Sequence, residues 1–307
     1  MVLPRTGQAH VRDRELSICG GLLTGVMACV FGLFLSPRLH AAEKLSARLA
    51  VQDTLVRPGQ PARIEAVLTT EGLLGTSQAL GGEQLELLVE GKVVAKAMTG
   101  GDGRAYLEYI PRVRGHHEIT VRLLPSPRVT SVEAKALLGA WERRRPILLV
   151  EMAAVMTPAP ALPVPIPFLS LPLVPKDDPP PMVDAADELN RLAQFFYNVI
   201  YVSWRDKENT GAFSEEDWRP WLRRHKFPRG LFMTVRPGQQ ALGDKVDQLR
   251  LDGWTNLKAG IGRTQAFAEV LATRRIPVVL VPEPEKGDLP KKTKIAKDWK
   301  EVRKQLD

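Results

Sequence analysis

Five short, almost wholly apolar runs in the second half of the chain constrain its fold more than any other feature: residues 147–151, 199–203, 231–235, 257–261 and 278–282. A strand buried on both faces reads as such a run. Because stretches with helical periodicity lie between several of them, the alternation predicts a parallel sheet wrapped by helices over residues 143–285. Helices are expected at about 186–198, after the Ser214-Glu215-Glu216-Asp217 start with Trp218, Trp221 and Leu222 on one face, and at about 264–274. An insert at 158–181 holds ten prolines in 24 residues. It cannot be regular helix or central strand, and reads as an extended flap or as a disordered loop.

Upstream, the grammar is different. Runs at 47–51, 62–69, 84–90, 93–99, 105–109 and 118–123 are short, and several alternate apolar with polar, the period of a half-buried strand. Turn formers separate them at Pro58-Gly59, Gly91-Lys92 and Gly101-Asp102-Gly103. Regular spacing of this kind predicts an all-β sandwich over 45–137. The Gly-Asp-Gly-Arg-Ala turn and the Gly-His-His-Glu-Ile-Thr-Val return strand within 91–123 resemble bacterial immunoglobulin-like modules.

The first 42 residues carry an uncharged apolar stretch at 16–35, preceded by Arg5, Arg12 and Arg14. About 20 such residues span a bilayer as a helix. Two readings fit, a signal peptide cut near Ala41-Ala42 and an uncleaved anchor, and both send the remainder out of the cytoplasm. Lipidation at Cys29 is disfavoured, because Met27 stands where a small residue is expected and the apolar run continues past it. Both cysteines, Cys19 and Cys29, fall inside this stretch, so what folds after it has no thiol for a disulfide, a zinc cage or nucleophilic catalysis.

The net charge is +8, and residues 286–307 supply half of it, with eight Lys or Arg against four Asp or Glu. There Ile295, Trp299, Val302 and Leu306 recur at helical intervals while Lys294, Lys297, Lys300 and Lys304 lie elsewhere around the turn. The pattern predicts a basic amphipathic C-terminal helix over 286–307. Such a helix either packs on the α/β domain or docks on an anionic lipid surface or acidic partner, with Trp299 at the interface. No nucleic acid is expected as a partner.

Candidate chemistry follows the ends of the apolar runs. The first closes on Glu151-Met152-Ala153, the second on Ser203, a Phe-Pro-Arg-Gly-Leu entry leads into the third, Lys245 follows in Gly-Asp-Lys-Val-Asp, and the fourth run gives Ala-Gly-Ile-Gly-Arg263-Thr264. Over roughly 143–290 this order resembles the haloacid dehalogenase (HAD)-like superfamily, in particular the lipin-like phosphatidate phosphatase (LNS2-type) branch. The resemblance implies a three-layer Rossmann-like α/β fold. It also implies a reactive Asp-x-Asp pair after the first strand, a phosphate-binding Ser and Lys, and acids after the fourth strand that complete a magnesium shell.

Against that pattern the chain is degenerate. Glu151 falls on the nucleophile position and is one methylene too long, Ala153 cannot transfer a proton, and Arg263 stands near the expected metal acids. The expectation is therefore a non-catalytic binding or scaffolding domain with no metal, binding a phosphate-bearing ligand such as a phospholipid headgroup through Ser203, Lys245 and Arg263. The alternatives are a weak magnesium-dependent phosphohydrolase using Glu151 and a purely structural envelope protein. His116-His117 is a poor metal pair, since neighbours on a strand point to opposite faces. Asp177 and Asp178 would need an ordered flap to replace lost acids.

Overall fold

A computed structural model of the protein describes residues 44–71, 77–158, 179–204, 218–236, 238–284, 289–291 and 293–306. The apolar stretch 16–35, most of the proline-rich insert including Asp177 and Asp178, and the capping-box residues 214–217 lie outside the described residues. Among the described residues no helix is long and apolar enough to cross a membrane. Residues from Lys44 onward form one compact unit.

Nine strands make the first half a β-sandwich. One sheet joins β1 (Ala47–Val51), β3 (Ala62–Glu71), β4 (Ser77–Ala79) and β7 (Arg104–Tyr109). The other runs β2 (Thr54–Val56), β9 (Glu133–Ala140), β8 (Gly115–Leu123), β5 (Gln84–Val89), β6 (Lys92–Met98). Alternation decides the inner faces: Ile64, Ala66 and Leu68 of β3 meet Leu85 and Leu87 of β5 and Ile119 and Val121 of β8 in one buried cluster. Residues between them, such as Arg104 and Glu118, face water.

The β5–β6 hairpin turns on Glu90-Gly91, one residue earlier than the sequence suggests, and both residues have positive φ (49° and 79°). That pair of signs is what a two-residue turn needs to match the strand twist. At Gly103 (φ 72°) a Cβ would sit 2.4 Å from the Leu68 carbonyl oxygen, so only glycine lets the chain cross there from one sheet to the other. The short strands β2 and β4 and the closing strand β9, which extends to Ala140, were not legible as separate runs.

The second half is a six-stranded, wholly parallel sheet in the order β12 (Leu231–Val235), β11 (Asn198–Trp204), β10 (Ile147–Glu151), β13 (Leu257–Gly262), β14 (Val278–Leu280), β15 (Thr293–Ile295). Counted from β10, this is the 3-2-1-4-5-6 order of doubly wound sheets. Leu148, Val150, Val199 and Tyr201 face α2 (Ala185–Phe195), α3 (Trp218–Arg224) and α6 (Trp299–Leu306). Ile147, Leu149, Ile200 and Val202 face α4 (Gln239–Leu251) and α5 (Gln265–Thr273). β10 lies at the centre, with all five of its residues buried.

The C-terminal segment corrects the expectation of one basic helix over 286–307. It holds two elements: Ile295 belongs to β15, which adds a sixth strand at the open edge of β14, and the helix starts only at Trp299. Trp299 and Val302 are fully buried, and the Trp299 indole N–H donates to the Ala154 carbonyl at 3.1 Å. The helix packs on the sheet, so Trp299 is not available to a membrane interface.

The two halves share a core. Leu137 and Trp141 from the sandwich side join Leu231, Ile147 and Leu149 in one apolar cluster. Beside it Asp53, between β1 and β2, has a side chain only 1% exposed. Its oxygens accept the N–H groups of Leu137 (2.8 Å) and Phe232 (2.7 Å), and it pairs with Arg219. One buried carboxylate thus ties β9 of the sandwich to β12 of the parallel sheet.

Candidate functional site

Strand alternation aims Glu151 at the α4–α5 side of the sheet, with Ile147 and Leu149. The main chain then turns directly into the one-turn helix α1 (Met152–Val155), which Glu151 precedes without capping it. Instead its carboxylate points across to the end of β13, where Arg263 and Thr264 lead into α5. Thr264 is the N-cap of that helix, its hydroxyl accepting from the Phe267 N–H at 3.2 Å.

Four donors converge on the two oxygens of Glu151. Oε2 accepts the backbone N–H groups of Arg263 (2.7 Å) and Thr264 (2.9 Å). Oε1 accepts the Trp204 indole N–H (2.7 Å) and the Thr264 hydroxyl (2.5 Å). The residue is fully buried. Gly262 makes the fit possible: a Cβ there would lie 2.4 Å from the Phe267 ring and 3.0 Å from Glu151 Oε2. The N-terminus of α5, which could otherwise receive an external anion, is occupied by the chain's own carboxylate.

Arg263 enters this arrangement twice. Its backbone N–H serves Glu151, while its half-buried guanidinium reaches Met182, with Nη2 3.3 Å from Sδ. Burial lowers its pKa, and the nearby Glu151 carboxylate works in the opposite direction. Met182 stands at the root of the proline-rich insert, whose two ends are clasped. The Thr157 N–H donates to the Pro180 carbonyl and the Met182 N–H to the Val155 carbonyl, both at 2.8 Å.

Of the remaining expected site residues, Ser203 is half-buried near the end of β11, one position beyond the Glu151–Val202 register. By alternation it shares the face of Tyr201, as Arg263 follows Ile261 on that same side. Lys245 is exposed on the outer surface of α4. Among the described residues no hydrogen bond or ion pair joins it to Glu151, Ser203 or Arg263. Ala153 is half-buried within α1. The structure therefore brings Glu151 and Arg263 together, leaves Ser203 on the adjacent strand and sets Lys245 apart.

The donor set does not fit a magnesium ion. Such an ion needs about six oxygen ligands, whereas both Glu151 oxygens are saturated by donors and the positions just after β13 present the Arg263 and Thr264 N–H groups and the Arg263 cation. Among the described residues no group of three or more His, Cys, Asp or Glu is placed to hold a metal. The His116 and His117 rings diverge. The nitrogens of His117 lie against Val113 O (2.8 Å) and Glu90 Oε1 (3.2 Å), and His116 meets the Trp141 ring edge-on at 5.5 Å.

Sequence reasoning missed the partners that define this site. Thr264 was visible as the start of a helix, but Trp204 and the backbone of Arg263 reach Glu151 from 53 and 112 residues away, and no local pattern announces such a contact. Asp53 was missed for the same reason.

No family model matches the chain, and no curated protein matches it. Among solved structures, the CARDB domain of a Pyrococcus furiosus protein, determined in complex with di-metal ions, is similar over 31% of this chain and 86% of its own at 13% identity, with a TM-score of 0.23. The fibronectin(III)-like modules of Clostridium thermocellum CbhA are similar over 31% of this chain and 93% of their own at 16% identity (TM-score 0.21). A glycosyl hydrolase family 2 member from Bacteroides cellulosilyticus covers 74% of this chain and 38% of its own at 12% identity (TM-score 0.27). Likenesses at these scores say nothing of what the chain does.

Proposed function

We propose that this is an exported scaffolding or binding protein in which an immunoglobulin-like module carries a catalytically degenerate, HAD-like phosphatase domain. The observation that carries the reading is the state of Glu151. A nucleophilic carboxylate needs an oxygen free to approach phosphorus in line. Here the one carboxylate at the nucleophile position is fully buried with both oxygens bonded, and its expected acid partner is Ala153. The parallel sheet order and the clasped insert after the first strand support the resemblance.

In this reading the stretch 16–35 exports the chain and either remains as an anchor or is removed. For a phosphate-bearing ligand such as a phospholipid headgroup, the contacts best supported are the Arg263 guanidinium and the Ser203 hydroxyl, which share one face of the sheet rim. Lys245 would contribute only a distant positive charge. A weak phosphohydrolase would first have to free Glu151 from Trp204 and Thr264. The buried tie at Asp53 is the observation that favours a purely structural role instead, since it makes the two halves one body.

The test is phosphate release by the purified full chain with magnesium, offered phosphatidate in mixed micelles and a generic aryl phosphate. The expected result is none above the uncatalysed background. Release that a chelator abolishes, and that a Glu151→Gln chain shown to be folded lacks, overturns the proposal. Binding of phosphatidate vesicles that is weakened by Arg263→Ala separates a ligand-binding domain from a purely structural one.

A further inference from the structure

At the end of the parallel sheet opposite Glu151, where α2 runs out and β11 begins, two consecutive phenylalanines stand in solvent. Phe195 is 66% exposed and Phe196 53%, with ring centroids 6.3 Å apart. They sit at the end of an otherwise well-packed helix, held there because Arg145 donates to the α2 carbonyls of Ala193 and Gln194 and to that of Tyr197 just beyond the helix. Beside them a cleft of about 360 Å³ opens between α2 and α6, walled by Leu192, Phe196 and Leu306, with Arg303 at its lip. The apolar surface is thus held rigidly outward, next to a cation.

The charge on the closing segment is mainly positive, six exposed cations against exposed Asp298 and half-buried Glu301. Lys291, Lys294, Lys297, Lys300, Arg303 and Lys304 are all exposed on the closing segment. Lys300 pairs with Asp184 at 3.1 Å, and Lys294 donates to the Gln305 carbonyl at 2.6 Å. Among the described residues no ion pair takes Arg303 or Lys304, the two cations of the last turn of α6 nearest the cleft. Trp299 and Val302 are spent on the core, so what α6 offers outward is its basic face.

Exposed aromatic rings flanked by Lys and Arg suit a lipid interface, where the rings enter the headgroup boundary and the cations meet anionic headgroups. A protein partner fits less well, since lysine is depleted from protein–protein interfaces. We propose that the α2–α6 end of this domain docks on an anionic bilayer surface, with Phe195 and Phe196 entering the interface and Arg303 and Lys304 holding headgroups. The surface is separate from the Glu151 rim, and the proposal stands whether or not that rim binds a ligand.

The full chain reconstituted into vesicles of zwitterionic lipid alone, or with an anionic lipid admixed, tests it by hydrogen exchange. Both vesicle types offer the apolar stretch 16–35 the same hydrocarbon interior, so a difference confined to residues 192–197 and 299–306 reports the patch. Amides of residues 192–197 and 299–306 are expected to slow severalfold in the anionic vesicles alone. High salt and Arg303→Glu/Lys304→Glu should remove the slowing, each cation being worth about fivefold in affinity at such a surface. Phe195→Ser/Phe196→Ser should also remove it, while leaving thermal unfolding of the detergent-solubilised chain unchanged because both rings are exposed. Equal exchange in the two vesicle types overturns the proposal. So does slowing that survives both variants, or slowing produced by an acidic amphipathic peptide without lipid and not by vesicles.

Discussion

A carboxylate taken out of water persists only where donors replace its hydration shell. At Glu151 they do so fully, and the arrangement tolerates change poorly. Glu151→Gln turns one acceptor into an N–H₂ group facing donors. Glu151→Ala leaves two backbone N–H groups, an indole and a hydroxyl without their acceptor. Leaving such buried donors unmet costs about 1–3 kcal/mol each before relaxation. Either substitution is therefore expected to remove roughly 3 kcal/mol of stability, measured by urea unfolding. The Ala variant has a further signature: formate, a carboxylate small enough for the void, should raise its melting temperature and leave that of the native chain unaltered. A Glu151→Ala chain as stable as the native one and indifferent to formate would show that the four contacts contribute little. Glu151 could be picked out in the sequence because it closes an apolar run. That it is bonded to saturation could not, because its partners come from β11 and the β13–α5 turn.

At the scale of elements, the runs that are legible alone are those buried on both faces. β10, β11 and β13 are apolar because helices cover each side, so composition reveals them without any knowledge of neighbours. The three-residue strands β2, β4 and β15 carry no period of their own and exist because a neighbouring strand offers an open edge. For β15 this had a consequence. Ile295 falls in helical phase with Trp299, so the sequence reads as one amphipathic helix where the molecule makes a strand and then a helix. The energetic weight lies with Trp299, fully buried over the α1 carbonyl. Trp299→Ala should cost about 3–5 kcal/mol through the cavity it leaves, read as a lower urea midpoint. A change below about 1 kcal/mol would mean that α6 contributes little to the fold.

For the molecule as a whole, the junction between the halves is the sensitive region. His116 lies there against the Trp141 ring, and its pKa is lowered to about 4, first by burial and then by Arg229, His117 and Arg145. The folded state therefore holds this imidazole neutral. Its contribution is fully present above the unfolded value of 6.5 and is lost as pH falls from there towards 4, where the unfolded chain binds a proton the folded one does not. The loss should amount to about 3 kcal/mol at most. Urea unfolding at pH 7 and near pH 4.5 checks it, and His116→Phe should flatten that part of the profile; an equal loss in the variant would place the acid sensitivity elsewhere. By itself the sequence determined the kinds of layer: a region of alternating strands, then apolar runs wrapped by helices, with basic charge gathered at the end. Those properties follow from local periodicity and burial, which each segment carries with it. Tertiary structure decided what Glu151, Asp53 and His116 do, and that Trp299 faces inward while Phe195 and Phe196 face out. The roles of those three residues depend on partners far along the chain, and a side chain's exposure is settled only when its neighbours have packed.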